Sequence, residues 1–497
     1  MIAKRQQSEK LRANTKNLYD WLPISLILVA ATILFTYRLG AEGLWIDELF
    51  SIQDSQQSLF EVYKENQLRP LYYLLLSGWR VFGSSDVWLR SLSVIFAIIS
   101  VFLIYRLGCR LLGKAEGLIA ALLLMSSPLF VNHAQEVRMY VLSLCLGLAG
   151  TLFLTDALLT ERSQRPSQAS LAGWSLFRLL AIYTVPLNVA LLLPDVIIIF
   201  LRFRQNRRTL FDFGKWLLVL LVLWSPSVLA AVSEASPDTD YAETRAKFSE
   251  RPGLNNLVYP LKFWMVRPFV VEGSAIAHTA YKLFTLPLVG LIGAGLIRKH
   301  KSPALIWTLA WFLIPLVPIV TFSLFSAQIW ESRYVLFVSP YLFILLAAGF
   351  TRLWRQWKVS AIVMGILYTA AIGWALLHYY TVQNRPDYRF TIETVEAYEQ
   401  PGDAIIWGAG FEEPIQYYYD GSSDVYWRNM NLLEDSEDIQ QWVSQFPPGY
   451  SRWWLVIENP RSLANEFESA ITSAYNVQEI FDDYEQHSQV ILLTPSQ

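Results

Sequence analysis

Long apolar runs are the feature that most constrains how this chain can fold. Between residues 21 and 380, stretches of about twenty apolar residues recur, each long enough to cross a hydrocarbon core of about 30 Å as a helix. Hydrophobic residues make up 54% of the 497 and charged residues only 16%. That composition is too apolar for a soluble enzyme of this size. The sequence therefore predicts a polytopic α-helical membrane protein.

Basic residues predict which loops face the cytoplasm. Lysine and arginine gather in every second connection, in clusters at residues 4–16, 106–114, 162–165, 202–208, 298–301 and 352–358. The positive-inside rule places all six clusters, and the N-terminus, on the cytoplasmic side of the plasma (inner) membrane. Spans at 70–83 or 254–271 would break this alternation, so we expect interfacial helices near 55–83 and 254–271 at the outer face. About eleven spans remain, near residues 21–38, 88–107, 115–132, 139–159, 171–186, 188–203, 214–233, 281–297, 303–325, 334–351 and 359–380.

The two ends of the chain are polar. Residues 1–20 precede an apolar run that is longer than a signal-peptide core and lacks an Ala-x-Ala site, so we expect a cytoplasmic segment and a retained anchor helix. An odd number of spans in the transmembrane domain, residues 21–382, then places residues 383–497 on the extracytoplasmic side of the membrane. Strand-like patterns at 404–407, 425–428, 453–457 and 490–493 alternate there with helix-like ones, which predicts a small α/β domain.

Bulk charge and cysteine content exclude several kinds of function. A net charge of -2 indicates no nucleic-acid partner. Cys109 and Cys145 are the only cysteines, so neither a disulfide framework nor a thiolate metal cluster is expected.

An acidic pair, Asp47 and Glu48, follows the first span in the segment Gly-Leu-Trp-Ile-Asp-Glu at residues 43–48. Charge is costly among large apolar groups at a membrane face, and a carboxylate held there suits a general base that takes a proton from an acceptor hydroxyl. Equally, Asp47 can cap an interfacial helix while Glu48 is solvated. An adjacent acidic pair is a weak signal, and both interpretations stay open.

Two further clusters lie at predicted outer helix ends. The first is His-Ala-Gln-Glu-Val-Arg-Met-Tyr at residues 133–140, where Glu136 and Arg138 either pair with each other or line a polar cavity. The second is Trp-Glu-Ser-Arg-Tyr at residues 330–334. Arg333 is suited to bind a phosphate through two parallel hydrogen bonds, although it could also extend toward lipid headgroups.

Taken in order, these elements resemble the C-type (GT-C) membrane glycosyltransferases. The acidic pair after the first span, Pro-Leu-Tyr-Tyr at residues 70–73, Glu-x-Arg-x-Tyr at 136–140 and a late Arg-Tyr at 333–334 are similar to the family 39, protein-O-mannosyltransferase-like branch. That branch includes the aminoarabinose transferases of lipid A. The resemblance covers nearly all of residues 20–380.

The resemblance implies an inverting hexosyl- or pentosyltransferase of the cell envelope. Its donor would be a sugar on a polyprenyl phosphate, and its acceptor a hydroxyl of a lipid, glycan or protein at the outer face. The residues that match the family's motifs are catalytic Asp47 and Glu48, and substrate-binding Glu136, Arg138, Tyr140, Arg333 and Tyr72. No cofactor is required; a divalent cation could assist the phosphate, but the outer loops hold no His and carboxylate set with convincing ligand spacing.

The interfacial segment departs from the family pattern. Many relatives have His-Pro-Pro-Leu-Tyr-Tyr, whereas this chain has Leu-Arg-Pro-Leu-Tyr-Tyr at residues 68–73 and so lacks the histidine and one proline. Any role of that histidine in metal or acceptor binding is therefore in doubt here. We hypothesise that Arg69 adds a contact to the donor phosphate.

The alternative function is that of a polytopic transporter or flippase for lipid or glycan. That function would call for charged residues near mid-span and for inverted repeats. The predicted spans are mostly free of charge at their centres, with Arg178 and Asp195 as the exceptions, and no repeat is visible.

Overall fold

A computed structural model describes residues 21–234, 289–291, 293–294, 302–325, 329–382, 385–430, 433, 436–458, 464–482 and 488–496. The chain divides into two compact units. The membrane unit comprises Met1–Tyr37, Ser55–Ser84 and Trp88–His378, and the α/β unit comprises Arg38–Asp54, Ser85–Val87 and Tyr379–Gln497. The predicted N-terminal segment 1–20 and the predicted interfacial helix at 254–271 lie outside the described residues.

Helices dominate the described chain. In chain order they are α1 (Trp21–Thr36), α2 (Ile46–Asp54), α3 (Leu59–Glu65), α4 (Pro70–Arg80), α5 (Asp86–Leu111), α6 (Lys114–Ser126), α7 (Pro128–Ala134), α8 (Tyr140–Leu158), α9 (Gln168–Ile182), α10 (Leu192–Phe203), α11 (Arg207–Glu234), α12 (Pro303–Leu313), α13 (Leu316–Phe325), α14 (Ser339–Gln356), α15 (Lys358–Thr381), α16 (Tyr388–Tyr398), α17 (Glu413–Tyr418), α18 (Ser436–Ser444) and α19 (Ala464–Ala474). Two 3-10 segments, Pro186–Leu191 and Leu336–Val338, lead into α10 and α14.

Several helices are long and apolar enough to cross a membrane. Seven stretches qualify by length and composition: Asp86–Leu111, Tyr140–Leu158, Pro186–Phe203, Arg207–Ala230, Pro303–Phe325, Leu336–Gln356 and Lys358–Thr381. The polytopic helical fold is thus confirmed. The number of about eleven spans stays a prediction, because α1 and α9 are shorter and the predicted span at 281–297 lies mainly outside the described residues.

The predicted span at 115–132 is bent. Helices α6 and α7 meet at an angle of 65°, and the two count as an eighth possible span if taken together. Ser127 at the break has extended backbone angles, and Pro128 follows it. The proline ring disfavours the helical conformation of the residue before it, which explains the break at Ser127.

The charged pair at mid-span is fully bonded inside the membrane unit. Arg178 and Asp195 are both 0% exposed, and Arg178 Nε donates to Asp195 Oδ2 at 2.7 Å. The indole N–H groups of Trp174 and Trp311 also donate to the carboxylate, at 2.7 and 2.8 Å. A second guanidinium nitrogen donates to the Gly147 carbonyl oxygen at 2.7 Å. Buried charges persist when they are paired and hydrogen-bonded in this way, so the pair ties α8, α9, α10 and α12 together.

The C-terminal part of the α/β unit is built on one five-stranded sheet, which confirms the predicted α/β domain and adds one strand to the four predicted. Its strands are β1 (Asp403–Gly408), β2 (Asp424–Trp427), β3 (Arg452–Glu458), β4 (Tyr475–Asp482) and β5 (Ser488–Pro495), in the order β2-β1-β3-β5-β4. Strand β1 pairs in parallel with β2 and β3, whereas β5 pairs antiparallel with β3 and β4. Every residue of β1 is buried, as expected of a central strand covered on both faces.

Candidate active site

The predicted site residues are divided between the two units. Asp47 and Glu48 belong to the α/β unit. The others belong to the membrane unit; they are Arg69, Tyr72, Glu136, Arg138, Tyr140 and Arg333.

The acidic pair lies in the first turn of the short helix α2. Glu48 is fully buried, and its Oε2 accepts a hydrogen bond from the Trp45 backbone N–H at 3.2 Å. This contact is one half of a capping box, in which a glutamate reaches back to the residue before the helix. Arg385 Nη1 lies 3.8 Å from the same carboxylate, and its guanidinium lies over the Trp45 ring. Glu48 therefore holds the start of α2, while the side chain of Asp47 next to it is partly exposed.

The segment before α2 is attached to the C-terminal residues of its own unit. The Gly43 N–H donates to Asp387 Oδ1 at 3.2 Å, and the Leu44 N–H donates to Tyr418 Oη at 2.7 Å. A Cβ atom on Gly43 would lie 2.7 Å from Asp387 Oδ1, so a side chain at this position would displace the Asp387 carboxylate. Burial and the neighbouring Asp86 carboxylate raise the pKa of Tyr418, whose hydroxyl stays protonated and donates to Asp86. The helix that carries Asp47 thus has a defined place in the α/β unit.

Glu136 is held in the membrane unit by residues that precede it on α7. It is buried, and one oxygen accepts a hydrogen bond from Asn132 Nδ2 at 2.9 Å. The other oxygen lies 2.5 Å from His133 Nδ1. The Ser93 hydroxyl donates to the Glu136 backbone carbonyl. Asn132 and His133 are not among the predicted site residues, although their positions four and three residues before Glu136 are a sequence signal for contact with it.

Two arginines and two tyrosines come together from distant segments. The Arg138 guanidinium lies 5.6 Å from the centre of the Tyr140 ring, and Arg333 lies 5.3 Å from the centre of the Tyr334 ring. The two tyrosine rings are themselves 6.1 Å apart. Both guanidinium charges act on the Tyr140 hydroxyl, to which Arg138 Nη2 also donates at 3.4 Å. We call these four residues the arginine–tyrosine cluster. It brings together the predicted clusters at residues 133–140 and 330–334.

The remaining two predicted residues lie on α4. Tyr72 is buried, and its ring packs edge-on against Tyr73 at 5.8 Å. Arg69 is exposed at the start of the helix, and its guanidinium lies 5.7 Å from the centre of the Tyr73 ring. Pro70 at the first helical position favours this start because its ring presets the helical backbone angle.

No metal site is visible in the part of the chain that the structure describes. Within those residues, no three His, Cys, Asp or Glu side chains are placed to hold one ion. His133 has Glu136 as its acidic neighbour and packs against the Tyr140 ring, with the ring centres 4.9 Å apart.

Comparison with known proteins places this geometry in a family context. Residues 70–230 match the model of a family described as dolichyl-phosphate-mannose-protein mannosyltransferase. No curated protein matches the chain.

Similar solved structures cover almost the whole chain. ArnT from Cupriavidus metallidurans, bound to undecaprenyl phosphate, is 13% identical with a TM-score of 0.57, over 94% of this chain and 97% of ArnT. The Archaeoglobus fulgidus oligosaccharyltransferase AglB, in complex with an inhibitory peptide and a dolichol-phosphate, is 9% identical with a TM-score of 0.51, over 95% and 76%. The mycobacterial arabinofuranosyltransferase AftD is 14% identical with a TM-score of 0.50, over 95% and 41%. The fold that the motifs indicate is therefore confirmed: this chain has the fold of the GT-C membrane glycosyltransferases and is similar to ArnT in structure.

Proposed function

We propose that the protein is an inverting glycosyltransferase that moves a sugar from a polyprenyl-phosphate-linked donor to an acceptor hydroxyl at the outer face of the inner membrane. The family match and the fold support transfer of a sugar. A polyprenyl phosphate donor is supported by ArnT, which is bound to undecaprenyl phosphate, and by AglB, which is bound to a dolichol-phosphate. The acceptor class is a lipid, glycan or protein.

The arginine–tyrosine cluster is the observation that carries this proposal. Arg138 and Arg333 place two positive charges around one pair of tyrosine rings, and both arginines are half-buried. Both guanidinium charges act on the Tyr140 hydroxyl, so an anion that binds beside this hydroxyl would interact with both of them. Guanidinium groups bind phosphate oxygens through paired hydrogen bonds, which makes a phosphate the fitting anion.

In the proposed reaction the acceptor oxygen attacks the anomeric carbon of the donor. The bond between that carbon and the phosphate oxygen breaks, and the polyprenyl phosphate leaves with the bonding electron pair. Asp47 takes the proton of the acceptor hydroxyl. Arg138 and Arg333 stabilise the charge that develops on the leaving phosphate. One displacement inverts the anomeric centre and needs no covalent enzyme intermediate.

The other predicted residues have supporting roles in this proposal. Glu48 holds the first turn of α2 and so orients Asp47. Glu136, fixed by Asn132 and His133, holds the chain between α7 and α8 from which Arg138 projects. We propose that Tyr72 on α4 contributes to donor binding and that Arg69 adds a weaker phosphate contact.

A transfer assay with labelled donors tests the proposed base. Membranes that contain the wild type or Asp47→Asn would be supplied with a panel of labelled polyprenyl-phosphate sugars, hexoses and pentoses alike. Loss of a general base typically costs about 10²–10⁴ in rate, so Asp47→Asn should lose at least about a hundredfold. Asp54→Asn, at the other end of α2, is the matched control and should retain activity. Full turnover by Asp47→Asn would exclude Asp47 as the base.

The bonded state of Arg178 and Asp195 weighs against the transporter alternative. These were the charges near mid-span that a transport relay could use, and they are bonded to each other and to two tryptophans. A structural role accounts for them without a transport pathway.

A further inference from the structure

A basic cavity lies away from the arginine–tyrosine cluster, between the loop after α8 and the loop that joins α10 to α11. Its volume is about 670 Å³. Five arginines line it: Arg162, Arg202, Arg204, Arg207 and Arg208. Within the described residues none of the five forms an ion pair with a carboxylate. Arg165, on the same loop as Arg162, differs because Asp212 binds it through two oxygens at 2.8 and 2.9 Å.

Hydrogen bonds hold the two loops of this arginine cavity together. Asn206 Nδ2 donates to the Arg162 carbonyl oxygen at 3.2 Å, and Asn206 Oδ1 caps α11 by accepting the Thr209 N–H. Arg202 Nη2 donates to the Thr160 carbonyl oxygen at 3.3 Å. The two loops are therefore held to each other by hydrogen bonds from side chains to backbone carbonyl oxygens.

The cavity concentrates positive charge. Arg207 and Arg208 lie in the first turn of the 28-residue helix α11, where the helix dipole already contributes positive charge. The positive charge of Arg162 repels that of Arg202. In addition, the Arg202 Nε atom is buried and has no hydrogen-bond partner among the described residues. Several guanidinium groups at a helix N-terminus are a strong site for phosphate oxygens.

The surroundings favour a lipid as the source of that phosphate. The cavity lies between the end of the apolar stretch Pro186–Phe203 and the start of Arg207–Ala230, which places it at the membrane surface. Large apolar side chains are exposed beside it, with Phe200 57%, Leu201 62% and Phe211 74% exposed. Acyl chains would cover these side chains, whereas a free phosphate ion would leave them bare.

We propose that this arginine cavity binds the phosphate headgroup of an anionic phospholipid in the membrane leaflet that contacts it. The probe is phosphatidylglycerol, with phosphatidylcholine as the zwitterionic lipid and inorganic phosphate as the free anion. The site variant is Arg204→Gln/Arg207→Gln/Arg208→Gln. The matched control is Arg352→Gln/Arg355→Gln/Lys358→Gln, which removes the same charge from another basic loop.

Native mass spectrometry of the full chain, purified in detergent and titrated with each lipid, measures the binding. The wild type and the control should retain phosphatidylglycerol in preference to phosphatidylcholine. The site variant should bind phosphatidylglycerol at least about tenfold more weakly than the control does, because each basic residue near a membrane surface contributes to lipid attraction. Sugar transfer by the site variant should stay unchanged, so this result is independent of the proposed function.

Three results would overturn the proposal. Equal weakening in the two variants would show that bulk charge attracts the lipid. Binding of inorganic phosphate with no preference for phosphatidylglycerol would make the cavity a site for the free ion. If the glutamine variant does not fold, Arg204→Lys/Arg207→Lys/Arg208→Lys replaces it. That variant keeps the charge but loses the paired hydrogen bonds, and unchanged lipid preference in it would also exclude the site.

Discussion

Two sets of charged residues in the membrane unit differ in how deeply they are buried. Arg178 lies at the centre of the helices, and the protein itself supplies its counter-ion, Asp195, at 2.7 Å. Arg138 and Arg333 are only half-buried, and each lies over the ring of a tyrosine. In the first set the two charges pair with each other inside the protein, so the loss of either one would destabilise the fold. The second concentrates positive charge against aromatic faces, which is an arrangement suited to binding an anion from outside the protein.

The largest effect on stability is expected from breaking the pair of Arg178 and Asp195. Arg178→Met leaves the Asp195 carboxylate buried without its cation, which typically costs about 3–5 kcal/mol. We expect a large fall in the thermal unfolding temperature and in the yield of monodisperse protein. Arg178→Met/Asp195→Leu should recover part of the loss because it removes both charges. If Arg178→Met were as stable as the wild type, the pair would not have the structural role given to it here.

Asp403 and Arg452 form a similar pair in the α/β unit, and the contribution of this pair to stability can be tested by changing the pH. Burial opposes the charged form of Asp403, but hydrogen bonds from Arg452, the Gln400 N–H and Trp454 together hold the pKa of its carboxyl below the ordinary value. A lowered pKa stabilises the folded state above the unfolded value of about 3.9, and this contribution is lost as the pH falls through the folded value.

The α/β unit should therefore lose stability in acid, and Asp403→Asn should reduce that dependence. Breaking the pair should also cost about 1–3 kcal/mol near neutral pH, because Arg452 is partly exposed and water can solvate it. Thermal melting of the full chain between about pH 6 and about pH 3 measures both effects. An identical pH dependence in Asp403→Asn would show that other carboxylates are responsible.

Glu48 has features of both kinds of site: an arginine lies near its carboxylate, as one does at Asp195, and it is next to the proposed base. Glu48→Ala removes the cap of α2 and the contact to Arg385, and the loss of a helix cap costs about 1 kcal/mol. Hydrogen exchange of the amides of α2 should accelerate, and sugar transfer should fall with it. Glu48→Gln keeps an oxygen that can accept the Trp45 N–H, so its exchange should stay closer to the wild type. Equal acceleration in both variants would assign the effect to the Arg385 contact instead.

The smallest effect is expected at Arg69, which is exposed and contacts only one ring of its own helix among the interactions described. A charge contact at an exposed site contributes at most about 1 kcal/mol, so Arg69→Ala should weaken donor binding by no more than about fivefold. Lys64→Ala, on the neighbouring helix α3, is the control. Unchanged donor affinity in Arg69→Ala would remove Arg69 from the site.

The sequence was most informative where the structural signal is local. Apolar runs predicted α5, α8 and α14, because each depends on hydropathy within one window. In the α/β unit four strands were predicted, but β4 was missed. Its pairing with β5 shifts register between Val477 and Glu479, and such a shift breaks the alternation of apolar and polar residues by which strands are recognised.

Contacts between distant segments could not be predicted from local pattern. Glu48 meets Arg385 only because the chain folds residues 38–54 into one unit with the C-terminal part. Likewise, the motifs identified Arg138 and Arg333 separately, but the meeting of the Tyr140 and Tyr334 rings depends on how their helices pack. Predicted residue types therefore came from motifs, while their grouping required the structure.

We propose above all that Arg138 and Arg333 bind the phosphate of the polyprenyl phosphate. The direct measurement is the affinity of the purified chain for a polyprenyl phosphate and for the matching polyprenol, which lacks the phosphate. The wild type should prefer the phosphate, and Arg138→Gln and Arg333→Gln should each weaken its binding at least about tenfold, with no change for the polyprenol. Arg355→Gln, at the far end of α14, should bind both as the wild type does. Equal affinity of the wild type for the two lipids, or unchanged phosphate binding in both cluster variants, would contradict the account.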